Sequence, residues 1–259
     1  LRGTGDTLEL VAESGDPAVQ TAAHITGLFV ASGDDPFVLI ESAARTVADH
    51  LQTVRLRIEK ALPDFIYRFG WCTWDAFYHE VDEAKVRAGL QSFAEGGVQP
   101  KWMILDDGWL SVKGAYLTGF AAHTEKFPGG LAQMVRMAKD EFALETFLVW
   151  HAFNGYWAGV DGEALDGYRV QAIPWNYGAG FKHYWAAVDE HQPEAQLIAP
   201  DDIYRFYHDF YGDLRKQGVD GVKVDNQSSL EGCAAGVGGR VEGTRRYHEA
   251  LEGAVHTHF

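Results

Sequence analysis

The sequence predicts an α/β fold with a parallel sheet, because short apolar segments alternate with amphipathic helices along most of the chain. Four predicted strands, each followed by a helix, lie within residues 63–259. Repeated strand–helix–strand units form right-handed crossovers between parallel strands. Their two simplest closures are an open doubly wound sheet and a (β/α)8 barrel of the TIM type, and the alternation alone does not choose between them.

The first 62 residues have a different pattern. Residues 7–12 and 20–30 are predicted as short strands on either side of a turn at 13–18, "ESGDPA", with no helix between them. Residues 1–32 are therefore interpreted as the end of a β domain. Residues 33–62 are predicted as a helical linker, in which Asp35 caps a helix of about four turns that begins at Pro36.

The alternation of strands and helices then begins. Helical spacing of apolar residues and flanking caps, such as Asp82 before the first helix, set the boundaries. The predicted order is strand 65–72, helix 81–97, strand 101–107, helix 129–142, strand 143–150, helix 200–218, strand 219–225 and helix 240–255.

Composition and charge limit the partners. Of the 259 residues, 46% are hydrophobic, which is enough for a sizeable core. Acidic residues outnumber basic ones by 37 to 22, for a formal charge of −15. Neither nucleic acid nor an anionic membrane is expected to bind so acidic a chain, and a neutral partner fits best.

No cofactor, metal or secretion signal is predicted. Cys72 and Cys233 are far apart in the sequence, and the histidines show no ligand spacing, so no metal is assigned. The glycine-rich segment 232–239 lacks the Lys-Ser/Thr of a phosphate loop. Free thiols and the absence of a signal peptide at residue 1 predict a cytoplasmic protein.

Three aspartates are predicted at one end of the sheet. Asp106 and Asp107 follow the second strand and Asp225 ends the fourth, and active sites of β/α barrels gather at the carboxyl ends of the strands. The alternative for each aspartate is an ordinary N-cap of the next helix.

Lys223 lies two residues before Asp225, so the two side chains are expected on the same side of the strand. A nearby ammonium favours an ionised carboxylate, as a nucleophile requires. The alternative is a purely structural ion pair between the two residues.

Tryptophans are predicted beside these carboxylates. Trp71 is near the end of the first strand and Trp150 ends the third. Indole faces next to acids suit a sugar, whose hydroxyls bind carboxylates while its C–H face packs on an aromatic ring. The alternative is that the tryptophans are core residues.

At this point the sequence resembles a known family: the raffinose synthase, stachyose synthase and seed-imbibition group of alkaline α-galactosidase-like proteins, in glycoside hydrolase family 36. The matching segments are "GDDPF", "FGWCTWDAFY", "LDDGW", "KFPGGL", "VWHAFNGYWAGV", "DGVKVDNQ" and "GGRVEGTRRYHEAL". The resemblance implies a (β/α)8 catalytic barrel preceded by a β-sandwich. Residues 1–32 would then end the sandwich, and 63–259 would supply about the first four βα units of the barrel.

The resemblance also implies retaining chemistry on α-galactosides of the raffinose type. By similarity, Asp225 is the nucleophile, Asp106 and Asp107 bind galactose hydroxyls, and Lys223, Trp150 and Trp71 line the same sugar subsite. The family's general acid/base is an aspartate in an acidic motif on a later strand, so it is expected beyond Phe259. The chain resembles a central fragment, which is expected to be inactive alone.

Three functions remain open at the level of sequence. The parent protein is an α-galactosidase that uses water, a galactosyltransferase of the raffinose or stachyose synthase type that uses a sugar acceptor, or a non-catalytic carbohydrate-binding protein. An oligosaccharide with a terminal α-galactose is the expected partner, and the sequence does not indicate the oligomeric state. The aromatic-rich connection 152–200 is predicted to be an acceptor or leaving-group platform, with a domain-packing insertion as the alternative.

Overall fold

The computed structural model describes residues 2–24, 26–176 and 194–259. The described strands are β1 (Arg2–Thr4), β2 (Thr7–Glu9), β3 (Gly70–Cys72), β4 (Trp102–Leu105), β5 (Leu110–Lys113), β6 (Tyr116–Ala122), β7 (Thr146–Ala152), β8 (Val170–Pro174), β9 (Glu194–Ile198) and β10 (Gly221–Asp225). The described α-helices are α1 (Pro36–Leu51), α2 (Trp74–Phe77), α3 (Glu83–Glu95), α4 (Gly130–Arg136), α5 (Ile203–Lys216) and α6 (Arg240–His258).

The chain divides into two compact units, of which one comprises Leu1–Gln20 with Arg68–Phe259 and the other Thr21–Tyr67. In the smaller unit the predicted helix is confirmed as α1, with Asp35 as its N-cap. The Asp35 carboxylate accepts hydrogen bonds from the main-chain N–H groups of Phe37 and Val38 at 2.8 and 3.2 Å. Short 3-10 helices follow at Arg57–Glu59 and Asp64–Tyr67.

The predicted strand at 20–30 is wrong, since its described residues form no strand. Most of the segment is exposed, and a strand needs a neighbour to satisfy its main-chain groups. The strand predicted at 7–12 is confirmed only over β2, which pairs with β1 in an antiparallel hairpin. The assignment of residues 1–32 to the end of a β-sandwich stays a prediction.

The larger unit is built on a four-stranded parallel sheet in the order β10-β7-β4-β3. The predicted parallel α/β sheet is therefore confirmed. Among these four parallel strands, each one pairs with the parallel strand that follows it in the sequence. A doubly wound sheet, in contrast, reverses its strand order near the middle. β3 is shorter than the predicted strand 65–72, because residues 64–67 form a 3-10 turn instead.

The helices next to the sheet follow their predicted caps and apolar faces. Asp82 caps α3 by accepting the N–H of Lys85 at 2.7 Å. The predicted helix 129–142 begins as α4 and continues as a π-helical turn over Met137–Glu141. The predicted apolar face of α5 is fully buried, and it consists of Ile203, Phe206, Tyr207, Phe210 and Leu214, with Tyr211 beside them.

Two antiparallel hairpins interrupt the βα alternation. β5 pairs with β6 directly after the second parallel strand, through a two-residue turn in which Gly114 has a φ of 61°. β8 pairs with β9 in the connection after the third. Neither hairpin was predicted.

The register of the parallel sheet decides which side chains share a face. Trp71 is paired with Met103 and Met103 with Phe147, and the last two are buried under the helices. Because side chains alternate along a strand, Cys72, Trp150, Lys223 and Asp225 lie on the opposite face.

A turn near the start of the chain packs on the glycine loop, residues 232–239. The buried carboxylate of Asp16 accepts the N–H groups of Gly236 and Gly238 at 3.0 and 3.1 Å, and that of Ala18 at 3.0 Å. The carbonyl of Ser14 accepts the N–H of Arg240, the first residue of α6. We call residues 13–18 the Asp16 turn. Among the described helices, none is long and apolar enough to cross a membrane.

Candidate active site

Asp106 and Asp107 form a buried bend at the end of β4. Their exposed fractions are 2% and 1%. The N–H of Asp106 donates to Thr73 Oγ1 at 2.9 Å, and the N–H of Asp107 donates to Asp106 Oδ1 at the same distance. The next regular element is strand β5, so a helix cap does not explain either aspartate.

Lys223 pairs with Asp106 across the face of the sheet. Its Nζ lies 2.6 Å from Asp106 Oδ2, which also accepts the Cys72 thiol at 3.0 Å. Lys223 and Asp225 lie on the same face of β10, as predicted, but the alternative of a structural ion pair between them is not what the structure shows, since the described ion pair of Lys223 is with Asp106. Burial opposes the charge on Lys223, but the hydrogen bond and charge of Asp106 outweigh it and raise the pKa of the ammonium. Burial, and then Asp106, raise the pKa of the Cys72 thiol.

Asp107 is held through one of its two oxygens. Oδ2 accepts the indole N–H of Trp157 at 2.9 Å and lies 3.1 Å from His79 Nε2. We assign His79 as the donor in this contact, with the proton on Nε2. Oδ1 is buried and makes no hydrogen bond to the described residues. Burial and then the charge of Asp107 raise the pKa of Tyr156 far above its ordinary value.

Asp225 is exposed, yet both of its oxygens are oriented. Oδ2 accepts the indole N–H of Trp150 at 3.2 Å, and Oδ1 accepts the N–H of Asn226 at 2.7 Å. Asn226 is in the left-handed region, with a φ of 58°. Its side-chain amide donates to Asn154 Oδ1 and to the Trp157 carbonyl, which fixes this strained turn against the end of β7.

The two predicted tryptophans are in different places. Trp150 is 1% exposed and contributes its N–H group to the site, while its ring packs on Tyr156 and Trp157. Trp71 lies on the helix-facing side, in edge contacts with Phe77 and Phe93. The expectation that Trp71 is a wall of the same subsite does not fit this placement.

The structure thus brings five predicted residues to one face: Asp106, Asp107, Trp150, Lys223 and Asp225. Sequence reasoning missed His79, Cys72 and Asn226 as members of the site. A signal was present, since the motifs "WCTWDAFY" and "KVDNQ" contain or adjoin them. The arrangement offers buried acceptors for hydroxyl groups beside an exposed, oriented carboxylate, and this combination suits nucleophilic attack on a sugar.

The aromatic connection contributes to this site through its first part. Trp157, in the connection predicted as an acceptor platform, donates its indole N–H to Asp107, and the platform stays a prediction. Tyr168 donates to Asp209 at 2.7 Å and lies under the Arg205 guanidinium. Four further aromatic residues of this connection, Tyr177, Phe181, Tyr184 and Trp185, lie outside the described residues, as does His183.

A family model described as raffinose synthase or seed imbibition protein Sip1 matches residues 2–118 and 119–259. Curated relatives include a probable galactinol–sucrose galactosyltransferase 6 of Arabidopsis thaliana, which is 40% identical over 98% of this chain. The galactinol–sucrose galactosyltransferase of Oryza sativa subsp. japonica is 34% identical over 98%, and the stachyose synthase of Pisum sativum is 24% identical over 99%. The chain spans 37%, 36% and 42% of the lengths of these three relatives.

Solved structures show the same fold. An α-galactosidase from Thermus thermophilus matches with a TM-score of 0.52 and 22% identity, over 74% of this chain and 37% of that one. A family 36 α-galactosidase from Geobacillus stearothermophilus matches with a TM-score of 0.51 and 17% identity, over 72% of this chain and 25% of that one. Because the family model matches nearly the whole length of this chain, and because a curated relative is 40% identical to it, the chain belongs to the raffinose synthase or seed imbibition protein family.

Proposed function

We propose that the full-length protein containing this chain transfers α-galactosyl groups by a retaining mechanism, with Asp225 as the nucleophile. The observation that carries the proposal is the pair of donors on Asp225, one on each oxygen, at the exposed end of β10. A carboxylate held in this way is already oriented when the sugar binds, so no further ordering of its side chain is needed for attack.

In the proposed reaction Asp225 attacks the anomeric carbon, and the bond to the leaving group breaks as the bond to the carboxylate forms. The resulting galactosyl-enzyme is then resolved by an acceptor hydroxyl, which loses its proton to a general base. One carboxyl group first protonates the departing sugar oxygen as the acid and then, as a carboxylate, takes the proton of the acceptor hydroxyl as the base. In retaining enzymes this group lies about 5 to 5.5 Å from the nucleophile. Following the family resemblance, we propose that this group is an aspartate on a later barrel strand.

The galactose is proposed to bind beside Asp106 and Asp107. The buried Oδ1 of Asp107 is the acceptor that we assign to a sugar hydroxyl, since the contacts of Trp157 and His79 are on Oδ2; the Tyr156 side chain also interacts with this carboxylate. Lys223 pairs with Asp106 and has two further N–H bonds for sugar oxygens. A charged hydrogen bond contributes about 1.5 to 3 kcal/mol, so two or three of them suffice for selective binding.

The four-stranded sheet is proposed to be part of a (β/α)8 barrel. Two features support this closure. The strand order has no reversal, and the functional side chains converge at the carboxyl ends of the strands.

A sugar acceptor is favoured over water by the relatives, which are named for transfer from galactinol to sucrose. Hydrolysis of raffinose-type α-galactosides remains the second candidate, because the solved neighbours include α-galactosidases and the donor-site residues would serve both reactions. The non-catalytic alternative is less well supported, since the curated relatives are named as galactosyltransferases and a synthase.

The test is product analysis with the natural full-length protein. It is incubated with galactinol alone, and with galactinol plus sucrose, and the products are separated by chromatography. Raffinose formed only with sucrose supports transfer, whereas free galactose in both reactions supports hydrolysis.

Asp225→Asn and Asp166→Asn are the matched variants, because Asp166 is an exposed aspartate outside the site. Loss of product in Asp225→Asn alone is expected. Binding of galactinol without any product from the unmodified protein would instead support the non-catalytic alternative.

A further inference from the structure

His79 connects the protein surface to the buried Asp107. It belongs to the segment between β3 and α3, and its side chain is 56% exposed, whereas that of Asp107 is 2% exposed. The imidazole nevertheless contacts Asp107 Oδ2 at 3.1 Å. One edge of a surface side chain thus supplies a donor to a carboxylate that solvent hardly reaches.

The backbone of this segment is fastened to the bend after β4. The ammonium of Lys126 donates to the carbonyl of His79 at 2.5 Å and to that of Gly108 at 3.1 Å. Gly108 has a φ of 113°, and a Cβ at this position would lie 2.6 Å from the His79 carbonyl oxygen. The approach is so close that only glycine fits, which gives a physical reason for the glycine of "LDDGW".

The residue before His79 has a strained backbone. Tyr78 has a φ of 46°, in a region that non-glycine residues rarely adopt. The ring of Trp74 contacts both Tyr78 and His79 edge-on, with centroids 5.1 and 5.0 Å apart. Such strain persists where the surroundings over-determine the conformation, and here Lys126 and Trp74 do so.

The donors on Asp107 determine where its second oxygen lies. His79 and Trp157 approach Oδ2 from two elements, so the carboxylate cannot rotate without breaking a hydrogen bond, and Oδ1 stays where it is. We propose that His79, fastened by Lys126, is a positioning residue that orients Asp107 toward a sugar hydroxyl. This inference rests on the proposed function, because it assigns Asp107 to the galactose.

The alternative is an ion pair that only stabilises the fold. The two readings differ in what removal of the donor does. If the contact is purely structural, its removal lowers the stability and does not change the affinity for the sugar. If the contact positions Asp107, its removal weakens the affinity, and this effect is lost once Asp107 itself is altered.

The experiment titrates p-nitrophenyl α-D-galactopyranoside by calorimetry into the natural full-length protein that carries Asp225→Asn, so that bound sugar is not turned over. In this background His79→Phe removes the donor and keeps a flat ring, and His79→Gln restores an N–H donor. His256→Phe is the matched control, since His256 is an exposed histidine on α6.

We expect His79→Phe to raise the Kd roughly tenfold, near the lower end of what loss of a charged hydrogen bond produces. His79→Gln is expected to recover most of that loss, and Lys126→Met to show part of it. In a background that also carries Asp107→Asn, the effect of His79→Phe should fall below about twofold, and His256→Phe should have none.

An unchanged Kd in His79→Phe, with or without a lower unfolding midpoint, would overturn the inference. So would a full effect of His79→Phe in the Asp107→Asn background. In both cases the proposed function survives if the Asp225→Asn protein itself binds the galactoside and Asp107→Asn weakens that binding. If the Asp225→Asn protein does not bind the galactoside at all, the proposed function fails and this inference fails with it.

Discussion

Nζ of Lys223 lies 2.6 Å from Oδ2 of Asp106, although the strands that position the two residues are separated by β7. The pair joins a carboxylate that is 3% exposed to an ammonium that is 39% exposed. Removal of the ammonium would leave the buried carboxylate with the weaker Cys72 thiol and the main-chain N–H of Asp107 as donors.

We therefore expect Lys223→Met to lower the free energy of unfolding by roughly 1 to 3 kcal/mol, a range discounted for the exposure of the lysine. Chemical denaturation measures the difference. Lys113→Met is the matched control, because Lys113 is 71% exposed in its pair with Asp161 and should contribute little. Equal losses in both variants would contradict a special role for the buried pair.

Asp225→Asn in the natural full-length protein is expected to reduce turnover by about 10⁴-fold or more, as the loss of other covalent nucleophiles does. The affinity for the galactoside should change little, because an amide keeps the shape of the side chain. Initial rates and calorimetric Kd values separate the two effects. Retention of turnover would show that another carboxylate attacks the sugar.

Asp106 and Asp107 should respond differently to substitution. Both oxygens of Asp106 are already bonded within the protein, whereas Oδ1 of Asp107 is not. Asp107→Ala is expected to weaken galactoside binding tenfold or more. Asp106→Ala is expected to weaken it too, and in addition to lower the unfolding midpoint, because it leaves Lys223 without its partner. A drop in stability alone, with normal binding in both variants, would contradict the sugar-binding assignment.

The Asp16 turn predicts a dependence of stability on acid. The N–H of Ala18 lowers the pKa of Asp16 below 3.8, burial opposes this, and the N–H groups of Gly238 and Gly236 add to the lowering. The ionised form therefore stabilises the folded state at pH values above about 3.8, and this contribution disappears as the pH falls through the lower pKa of the folded state.

Asp16→Asn should accordingly reduce the free energy of unfolding by roughly 1.5 to 3 kcal/mol at pH 7, and by less as the pH falls through the lowered pKa of Asp16 in the folded state. Urea denaturation across this pH range measures the difference, with Asp6→Asn, an exposed aspartate in the turn between β1 and β2, as the control. A loss that is the same across this pH range would mean that packing, rather than charge, accounts for Asp16.

The helices and the direction of the sheet could be predicted from the sequence because their signals are local. Asp35 and Asp82 stand at N-cap positions, and the apolar residues of α5 repeat at helical spacing. The hairpin β5–β6 also had a local signal, in the alternation around Gly114, but it was overlooked because the βα pattern was expected to continue.

The partners within the site depend on register, which no single segment encodes. Trp71 and Cys72 are adjacent, and the sequence does not state which of them faces the carboxylates; the pairing of Cys72 with Ile104 decides it. Likewise Lys223 is two residues from Asp225, but its nearest acid is Asp106, 117 residues earlier in the chain. The contact of His79 with Asp107 could not be predicted either, because it depends on how the segment after β3 and the bend after β4 lie relative to each other.

The Asp16 turn also has a consequence for the order of folding. Its bonds to Gly236 and Gly238 join residues 220 and 222 positions apart. Closing so long a loop costs about 2 kcal/mol more than closing one of about 20 residues, if the intervening chain is still unfolded. The cost disappears once the parallel sheet has formed and has brought the ends together. Although the Asp16 turn is synthesised before the strands of the parallel sheet, it should therefore dock after they have paired. Pulse-labelled hydrogen exchange should find the amides of Gly236 and Gly238 protected later than those of β4 and β7.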